Sequence, residues 1–231
     1  KIRQVMSFHP LLIGGNPFSV TAVYALINSL ERRHGVHSAM GGTGSLIKGL
    51  AGLLAVRGVE IRLNSEVKRI EVEDGKAQGV TLANGEFIPS DIVVSNADAA
   101  WTYQKLIAPE HRKVWTDAKV NKSKYSMSLF VWYFGTDKQY CDVPHHMILL
   151  GKRYKELLTD IFKKHVLADD FSLYLHRPTA TDPSLAPAGG DAFYVLAPVP
   201  NLESGTNWAT EAEPYRQAIA KYLDESVLPG F

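Results

Sequence analysis

The feature that most constrains this chain is a run of short strands that ends in a wholly apolar segment. Residues 67–72 alternate apolar and polar side chains, and Asp74-Gly75 and Asn84-Gly85 stand where hairpin turns would fall. Both dipeptides tolerate the positive φ that tight turns require. Residues 92–94 are then uniformly apolar, which is typical of a strand buried on both faces in an α/β sheet. The pattern predicts a mixed α/β fold containing a small antiparallel meander.

Two helices are predicted before the meander and several elements after it. Apolar side chains recur at helical spacing over residues 20–30, and Gly35 follows as a stop. A second helix should begin in the cluster 41–44 and end at Gly58, with an alternating strand at 59–63. Further on, the periodicity predicts helices at 101–106, 109–118, 153–162 and 211–227, and strands at 126–134, 147–150, 171–175 and 193–197.

Composition and charge exclude several classes of protein. The 231 residues carry 25 Lys and Arg against 24 Asp and Glu, so there is no basic excess for general nucleic-acid binding. Cys141 is the single cysteine, which excludes a disulfide within the chain and a cysteine-rich metal site. Neither a spanning apolar run nor a signal-peptide pattern is present. We expect a cytoplasmic protein and interpret the chain as an internal piece of a longer one.

Residue spacing gives little support to a phosphate or metal site. The cluster Gly41-Gly42-Thr43-Gly44 could hold an anion at a helix N-terminus. It completes neither the dinucleotide-binding nor the Walker spacing, and a tight structural turn explains it as well. The histidines, the adjacent His145 and His146 included, lack ligand spacing, so we predict no metal site. His176 follows a strand and either points into a cavity or bonds a backbone carbonyl.

An aromatic segment at 130–134 has two interpretations. Phe130, Trp132 and Phe134 are two residues apart and therefore share one face of the predicted strand. They either fill a core beneath a sheet or line a hydrophobic ligand cavity. Because both faces of the strand are apolar, we favour the second interpretation and predict that these three side chains, with His176, border a substrate cavity.

A series of motifs along the chain carries a resemblance to a known family. The chain closely resembles the middle of bacterial-type phytoene desaturases, the FAD-dependent carotenoid desaturases with an amine-oxidase-like fold. The resemblance extends over nearly the whole chain. Its motifs are Phe8–Phe18, Gly41–Gly44, Ser95–Asp98, Ser128–Gly135, Asp170–His176 and Tyr194–Pro200.

The resemblance implies two domains. Residues 38–98 would be the central part of a Rossmann-like FAD-binding domain that contains the meander. Residues 1–37 would be a helical segment of the substrate domain, and residues 99–231 its sheet and remaining helices. The family's pyrophosphate-binding glycine motif is not in this chain, so we expect the isolated chain to be inactive and to retain no FAD.

The same resemblance implies cofactor contacts but no catalytic residues. Val67 would meet the adenine end of FAD through its backbone. Asn96 and Ala97 would approach the cofactor, and Gly41 and Gly42 would lie beside it. The family's proposed acid and base residues lie mainly outside this stretch, so the catalytic residues stay unassigned.

The implied activity is desaturation of phytoene to more conjugated carotenes. The flavin removes a hydride, a neighbouring carbon loses a proton, and the protein supplies orientation and a water-poor channel. A hydrocarbon offers no hydrogen-bonding group, so its binding must come from burial of apolar surface. Since phytoene lies in lipid, we expect peripheral membrane contact through residues 8–13 or the helix at 153–162.

Two alternatives remain open at the level of the sequence. One is a related carotenoid isomerase or ketolase-type oxidoreductase that acts on another polyene. The other is a non-catalytic lipid-binding module that keeps only the hydrophobic cavity.

Overall fold

A computed structural model describes residue 4 and residues 7–231 of the chain. The chain divides into two compact units. The large unit comprises Lys1–Ala51 and Tyr125–Phe231, and the small unit comprises Gly52–Lys124. The predicted boundaries after residues 37 and 98 separate cofactor from substrate domains, and that functional division stays a prediction.

The first helices end where their glycines predict. A 3₁₀ turn at His9–Ile13 is followed by helix α1 (Ala25–His34) and helix α2 (Thr43–Val56). Gly35 and Gly58 have φ angles of 75° and 72°, positive values that glycine adopts without the steric cost of a side chain. The first helix begins later than predicted, because residues 22–24 form a 3₁₀ turn ahead of it.

The predicted meander is present in the small unit. Strands β1 (Val67–Glu73), β2 (Lys76–Leu82) and β3 (Phe87–Pro89) pair antiparallel in that order. Asp74 and Gly75 have φ angles of 49° and 76°, as a two-residue hairpin turn requires. The alternation and the turn residues therefore identified this sheet correctly.

The predicted strands at 59–63 and 92–94 are absent from the described part of the small unit. Both segments lack regular secondary structure. Leu63, Ile92 and Val94 are 79%, 77% and 87% exposed. An apolar strand of this type needs hydrogen-bonded neighbours and cover on both faces, and no described segment provides them. The prediction of these two strands is wrong for this structure.

The helical part of the small unit is more fragmented than predicted. Helix α3 (Ala99–Trp101) is capped by Asp98, whose carboxylate accepts the Trp101 N–H at 3.0 Å. A π-helical turn at Thr102–Leu106 continues it. Helix α4 (Asp117–Asn121) covers only the end of the predicted helix at 109–118 and runs beyond it.

The large unit is built on an antiparallel sheet of four strands in the order β4-β7-β6-β5. The strands are β4 (Ser128–Thr136), β5 (His146–Leu149), β6 (Leu173–His176) and β7 (Asp191–Val199). Each lies within two residues of its predicted bounds at both ends. The longest pair, edge strand β4 with β7, is in register along its whole length.

Two helices pack with this sheet. Helix α5 (Tyr154–Thr159) continues into a π-helical turn at Asp160–Lys164. Helix α6 (Trp208–Ser226) is capped by Asn207, whose side chain accepts the Ala209 N–H. Both helices were predicted.

The main core lies between the sheet and α6. Buried side chains from β6 and β7 meet Tyr215, Ile219 and Leu223 of α6. The strand members are Leu173, Leu175, Phe193, Val195, Ala197 and Val199. A second cluster joins Met127 to the buried face of α5. Each fully buried aliphatic side chain contributes about 1.5–3 kcal/mol relative to an exposed one.

A buried ion pair ties the start of β7 to two loops. Asp191 is 1% exposed and accepts hydrogen bonds from Arg177 Nε at 2.8 Å, Thr179 Oγ1 at 2.6 Å and the Tyr140 N–H at 2.7 Å. Burial alone would raise the pKa of Asp191, but these donors, led by Arg177, hold that pKa below its usual value. The carboxylate therefore stays charged inside the core.

Candidate functional site

The face of the sheet opposite α6, here called the open face, carries the chemistry-bearing side chains of the large unit. Strand side chains alternate between faces. On β6, Leu173 and Leu175 enter the core, so Tyr174 and His176 lie on the open face. Val131 of β4 is likewise more exposed than its neighbours along the strand.

The strand register aligns the open face into two rows of side chains. Rings of the first row touch: Tyr133 and Tyr194 have centroids 5.4 Å apart, and His176 stacks on Tyr194 at 4.5 Å. The first row is Tyr133, Tyr194, His176 and His146, and the second row is Val131, Leu196, Tyr174 and Ile148. A polar aromatic strip therefore runs beside a mainly apolar one.

One end of the open face forms an apolar pocket of about 110 Å³. The pocket lies between the sheet and the N-terminal 3₁₀ turn, and its lining is almost wholly hydrocarbon. Six of its lining residues are Phe8, Leu11, Leu129, Ile148, Tyr174 and Leu196. A site of this composition binds a ligand by burial rather than by hydrogen bonds.

The other end opens into a larger cavity of about 430 Å³, here called the glycine-turn cavity. Its walls combine the first row of the open face with the turn that precedes α2. Six of its lining residues are Gly42, Leu46, Tyr133, His145, His176 and Tyr194. Because Tyr174 of the apolar pocket lies 5.7 Å from the ring of Tyr194, the two sites adjoin along the sheet.

The turn before α2 is held by a carboxylate. Gly41 and Gly42 have φ angles of 80° and 77°, and a Cβ on Gly41 would collide with the Ser45 side chain. The Gly41 N–H donates to Asp182 at 2.6 Å. Hydrogen bonds from Ser184, and then from Gly41, lower the pKa of Asp182. Since that N–H is already taken by an anionic side chain, the tight structural turn explains this cluster better than a phosphate cradle.

Three histidines and a tyrosine form a group at the edge of the glycine-turn cavity. The Tyr174 hydroxyl lies 2.6 Å from His146 Nδ1 and 3.2 Å from His176 Nδ1. His145 Nδ1 bonds Thr181 Oγ1 at 2.5 Å. Burial, followed by the nearby His145 and His146, lowers the pKa of His176 to about 4. These imidazoles are therefore uncharged at neutral pH.

The spacing of the histidines in the sequence, from which we predicted no metal site, does not show that these three lie close together. In the described chain, His145, His146 and His176 place candidate ligand nitrogens within 4.8 Å of one another. They come from the β5 and β6 ends, which pair only in the folded sheet. Their Nδ1 atoms are engaged by Tyr174 and Thr181, so this geometry describes a hydrogen-bonded group rather than an open ligand set.

The predicted cavity side chains divide between the two faces of the sheet. His176, the last residue of β6, lines the glycine-turn cavity, and its contact with a substrate stays a prediction. Phe130, Trp132 and Phe134 instead pack against the core, with Phe130 in contact with the rings of α6. Their role towards a substrate stays untested, but the geometry favours the opposite face of β4, and we revise the prediction accordingly.

The predicted cofactor residues belong to different units. Gly41 and Gly42 form the turn of the large unit. In the small unit, Val67 is the half-buried first residue of β1, while Asn96 and Ala97 are exposed just ahead of α3. Their contacts with FAD stay predictions.

The sequence reasoning missed Tyr133, Tyr174, Tyr194 and His146. A usable signal was present, because Tyr174 and His176 are two apart and share a strand face. The pairing that brings His146 beside His176 has no counterpart in local sequence.

Comparison with known proteins finds one family and several similar curated proteins. The model of the flavin containing amine oxidoreductase family matches residues 1–197. A neurosporene-forming phytoene desaturase of Rhodobacter capsulatus is 50% identical over 235 residues, which cover 99% of this chain and 45% of that protein. A lycopene-forming phytoene desaturase of a Paracoccus species is 46% identical, with coverage of 99% and 46%. The chain thus spans less than half the length of these curated relatives.

Solved structures support the fold. An oxidoreductase from Methanosarcina mazei superimposes with a TM-score of 0.71 over 99% of this chain and 49% of its own. The PF1083 protein from Pyrococcus furiosus does so with a TM-score of 0.70. At 22% and 18% identity these similarities concern the fold alone.

Proposed function

Because the chain belongs to the flavin-containing amine oxidoreductase family, we propose that it is part of an FAD-dependent phytoene desaturase of carotenoid biosynthesis. The observation that carries this proposal is the 50% and 46% identity to phytoene desaturases over 99% of the chain. The family is flavin-containing, and its cofactor here is FAD. The open face adds a binding surface suited to a hydrocarbon.

The substrate would lie along the open face, from the apolar pocket to the glycine-turn cavity. A linear polyene is long and apolar, and the second row of side chains offers Val131, Leu196 and Ile148 along its path. At about 25 cal/mol per Å² of buried apolar area, burial of a few hundred Å² would supply several kcal/mol of binding. In this proposal the polyene would run along the sheet from the apolar pocket into the glycine-turn cavity.

The residues at the glycine turn fit a flavin. Gly42 lines the cavity and has no side chain, although Leu185 Cδ2 lies 3.6 Å from the position a Cβ would take. The Gly41 N–H donates to the Asp182 carboxylate, which ties the turn to the loop that carries Asp182. Within the large unit, Gly41 and Gly42 would contact the cofactor. When bound, FAD supplies the two-electron oxidation.

The chain's own residues would bind, orient and exclude water. The apolar pocket would hold one part of the polyene by shape, and the adjacent rings of Tyr133, Tyr194 and His176 would border the part that reacts. Because these side chains are packed on a sheet rather than on a loop, their positions are held closely, as alignment of a reacting bond requires.

The proposed activity is tested with the full-length gene. Expression beside a phytoene source, followed by identification of the carotenes, should give products with more conjugated double bonds. Geometric isomers without further desaturation would support the isomerase alternative, and oxygenated products the ketolase type. Binding of phytoene without any conversion would support the lipid-binding module.

The glycine turn makes a specific prediction for the cofactor. Gly42→Ala in the full-length protein forces an L side chain to a φ of 77°, at a cost of about 1–2 kcal/mol. If the turn relaxes, FAD affinity should fall about tenfold, since 1.4 kcal/mol corresponds to a factor of ten. Flavin absorbance after dialysis measures the change.

Gly44→Ala is the matched control for that variant. Gly44 lies within α2, and a Cβ there meets nothing within 4 Å. FAD retention should equal that of the wild type. Equal retention by Gly42→Ala as well would contradict a role for the turn in cofactor binding.

We also propose that the protein works as a peripheral membrane protein on the cytoplasmic side. In the described part of the chain, no helix has the length and hydropathy to cross a bilayer. The helix at 153–162 offers less apolar surface for docking than its sequence suggested, because Leu157, Leu158 and Ile161 are buried in the second core cluster. The predicted apolar stripe there packs internally.

The stretch around the N-terminal 3₁₀ turn suits lipid contact better. Leu12, Ile13 and Phe18 are each about half exposed, and the Lys155 ammonium lies 5.8 Å from the Phe18 ring centroid. Leu12 also lines the apolar pocket. Apolar side chains beside a lysine are typical of an interfacial surface, and here that surface leads into the proposed substrate path.

A double variant tests this surface without altering the pocket lining. Ile13→Glu with Phe18→Glu removes two apolar contacts worth about 1.5–3 kcal/mol each, so partition of the full-length protein to anionic vesicles should fall at least ~100-fold. Leu202→Glu, at a highly exposed site outside both cavities, is the control. Vesicle co-sedimentation unchanged by the double variant would reject the surface.

A further inference from the structure

A continuous hydrogen-bonded path leads from the glycine-turn cavity to solvent. His176 is half-buried and lines the cavity. Its Nδ1 lies 3.2 Å from the Tyr174 hydroxyl, which lies 2.6 Å from Nδ1 of the exposed His146. Each contact is within or close to normal hydrogen-bond distance. Burial therefore decreases along the path, from the cavity to the surface.

We propose that His176 accepts the proton released by desaturation and that Tyr174 and His146 carry it to solvent. This inference rests on the proposed function. Forming one C=C bond removes two hydrogens from adjacent carbons. One leaves with its electron pair to the oxidised flavin, a two-electron oxidant. The other leaves as a proton, and its C–H electron pair becomes the new π bond.

The two ring nitrogens of His176 and of His146 have different roles in this relay. Nδ1 of His176 is engaged by Tyr174, so Nε2 is the atom that receives the substrate proton. Nδ1–H of His176 then donates to the Tyr174 oxygen, while the Tyr174 O–H donates to His146 Nδ1. His146 finally releases a proton from Nε2 to water. Each group gains one proton and passes on one proton.

The electrostatics of the group suit a base that does not keep its proton. Burial first, and then His145 and His146, hold the pKa of His176 near 4, so it is neutral and able to accept. Loss of the hydride would leave a carbocation on the substrate, and a carbocation loses an adjacent proton even to a weak base. Burial, and then a hydrogen bond with Tyr194, raise the pKa of Tyr174, so its hydroxyl stays protonated. Burial, and then His145, also lower the pKa of His146, so it is neutral and can accept the proton from Tyr174.

The first test uses the full-length enzyme with phytoene. Loss of a general base typically costs 10²–10⁴-fold in rate, so His176→Gln should lower the desaturation rate about 100-fold or more. Tyr174→Phe keeps the ring and removes only the hydroxyl, and should lower the rate about tenfold. Flavin absorbance and phytoene binding should be unchanged. Imidazole added to His176→Gly should restore part of the rate, which a merely structural role would not allow.

Controls and a second readout keep the outcomes distinct. His34→Gln and Tyr222→Phe change the same residue types at surface sites outside the group and should leave the rate unchanged. In protein labelled with ¹⁵N-histidine, Tyr174→Phe should shift the Nδ1 resonances of His146 and His176, because both bond that hydroxyl.

The result that overturns the relay is clear from these variants. If the wild type converts phytoene and both His176→Gln and Tyr174→Phe keep its rate, the relay is overturned while the proposed function stands. If His176→Gln also loses phytoene binding, the rate of Tyr174→Phe decides. Absence of conversion by the wild type would overturn the proposed function, and the relay with it.

Discussion

Replacing Leu129 with Glu should abolish phytoene binding by the full-length protein while leaving its fold intact. Leu129 lines the apolar pocket and is 45% exposed on the open face. A bound polyene would bury the new carboxylate without a partner, at a cost of several kcal/mol. We expect affinity at least ~100-fold weaker, measured by phytoene binding to the purified protein, and a thermal midpoint close to that of the wild type.

The opposite face of the same strand, which packs on the core, provides the contrast. Trp132 packs 4.5 Å from the ring of Phe134 and 5.0 Å from the Arg216 guanidinium. Trp132→Asp should therefore lower the free energy of unfolding of the large unit by about 3 kcal/mol, rather than affect only substrate binding. Leu202→Glu, outside both cavities, should change neither property. Full phytoene binding by Leu129→Glu would show that the substrate does not lie on the open face.

Asp191→Asn should destabilise the large unit by about 3–5 kcal/mol, because it leaves the Arg177 charge buried without its partner. The amide NH₂ would also face the Thr179 hydroxyl or the Tyr140 N–H, both of which are donors. Denaturant unfolding of the full-length protein, followed by tryptophan fluorescence, measures the loss. Asp169→Asn, at an exposed carboxylate, should change stability by less than about 0.5 kcal/mol.

The destabilisation should depend on pH in a defined direction. The folded pKa of Asp191 is lowered, so its contribution is complete above the unfolded value of about 3.9 and is lost as pH falls through the folded pKa. The difference between wild type and Asp191→Asn should be constant from pH 7 to about pH 5 and shrink below pH 4. A difference that grows on acidification would contradict the ion pair's role.

Local sequence was sufficient wherever the deciding interactions are local. The turn at Asp74-Gly75 and the helix ends at Gly35 and Gly58 were predicted because positive φ is a property of single residues. The four strands of the large sheet were found because short runs rich in β-branched and aromatic residues favour strands. These features need no knowledge of what packs where.

The predicted strands at 59–63 and 92–94 failed for the converse reason. Their composition describes segments covered on both faces, yet a strand exists only if other segments pair with it. The described chain supplies no such partner, and it spans less than half the length of its relatives. The apolar composition of these segments suits a buried strand. Whether they form strands depends on hydrogen-bonded pairing with other segments.

Of this protein's structure and chemistry, the sequence by itself determined the fold class, the family and the aromatic character of β4. Only the tertiary structure decided which face of β4 meets α6. Alternation groups Phe130 with Trp132 but does not say which group is covered, because that depends on a helix some 80 residues away in the chain. The same holds for His146 and His176, which become neighbours through the β5–β6 register. A site assembled across strands is a product of pairing, and pairing is not encoded by local spacing.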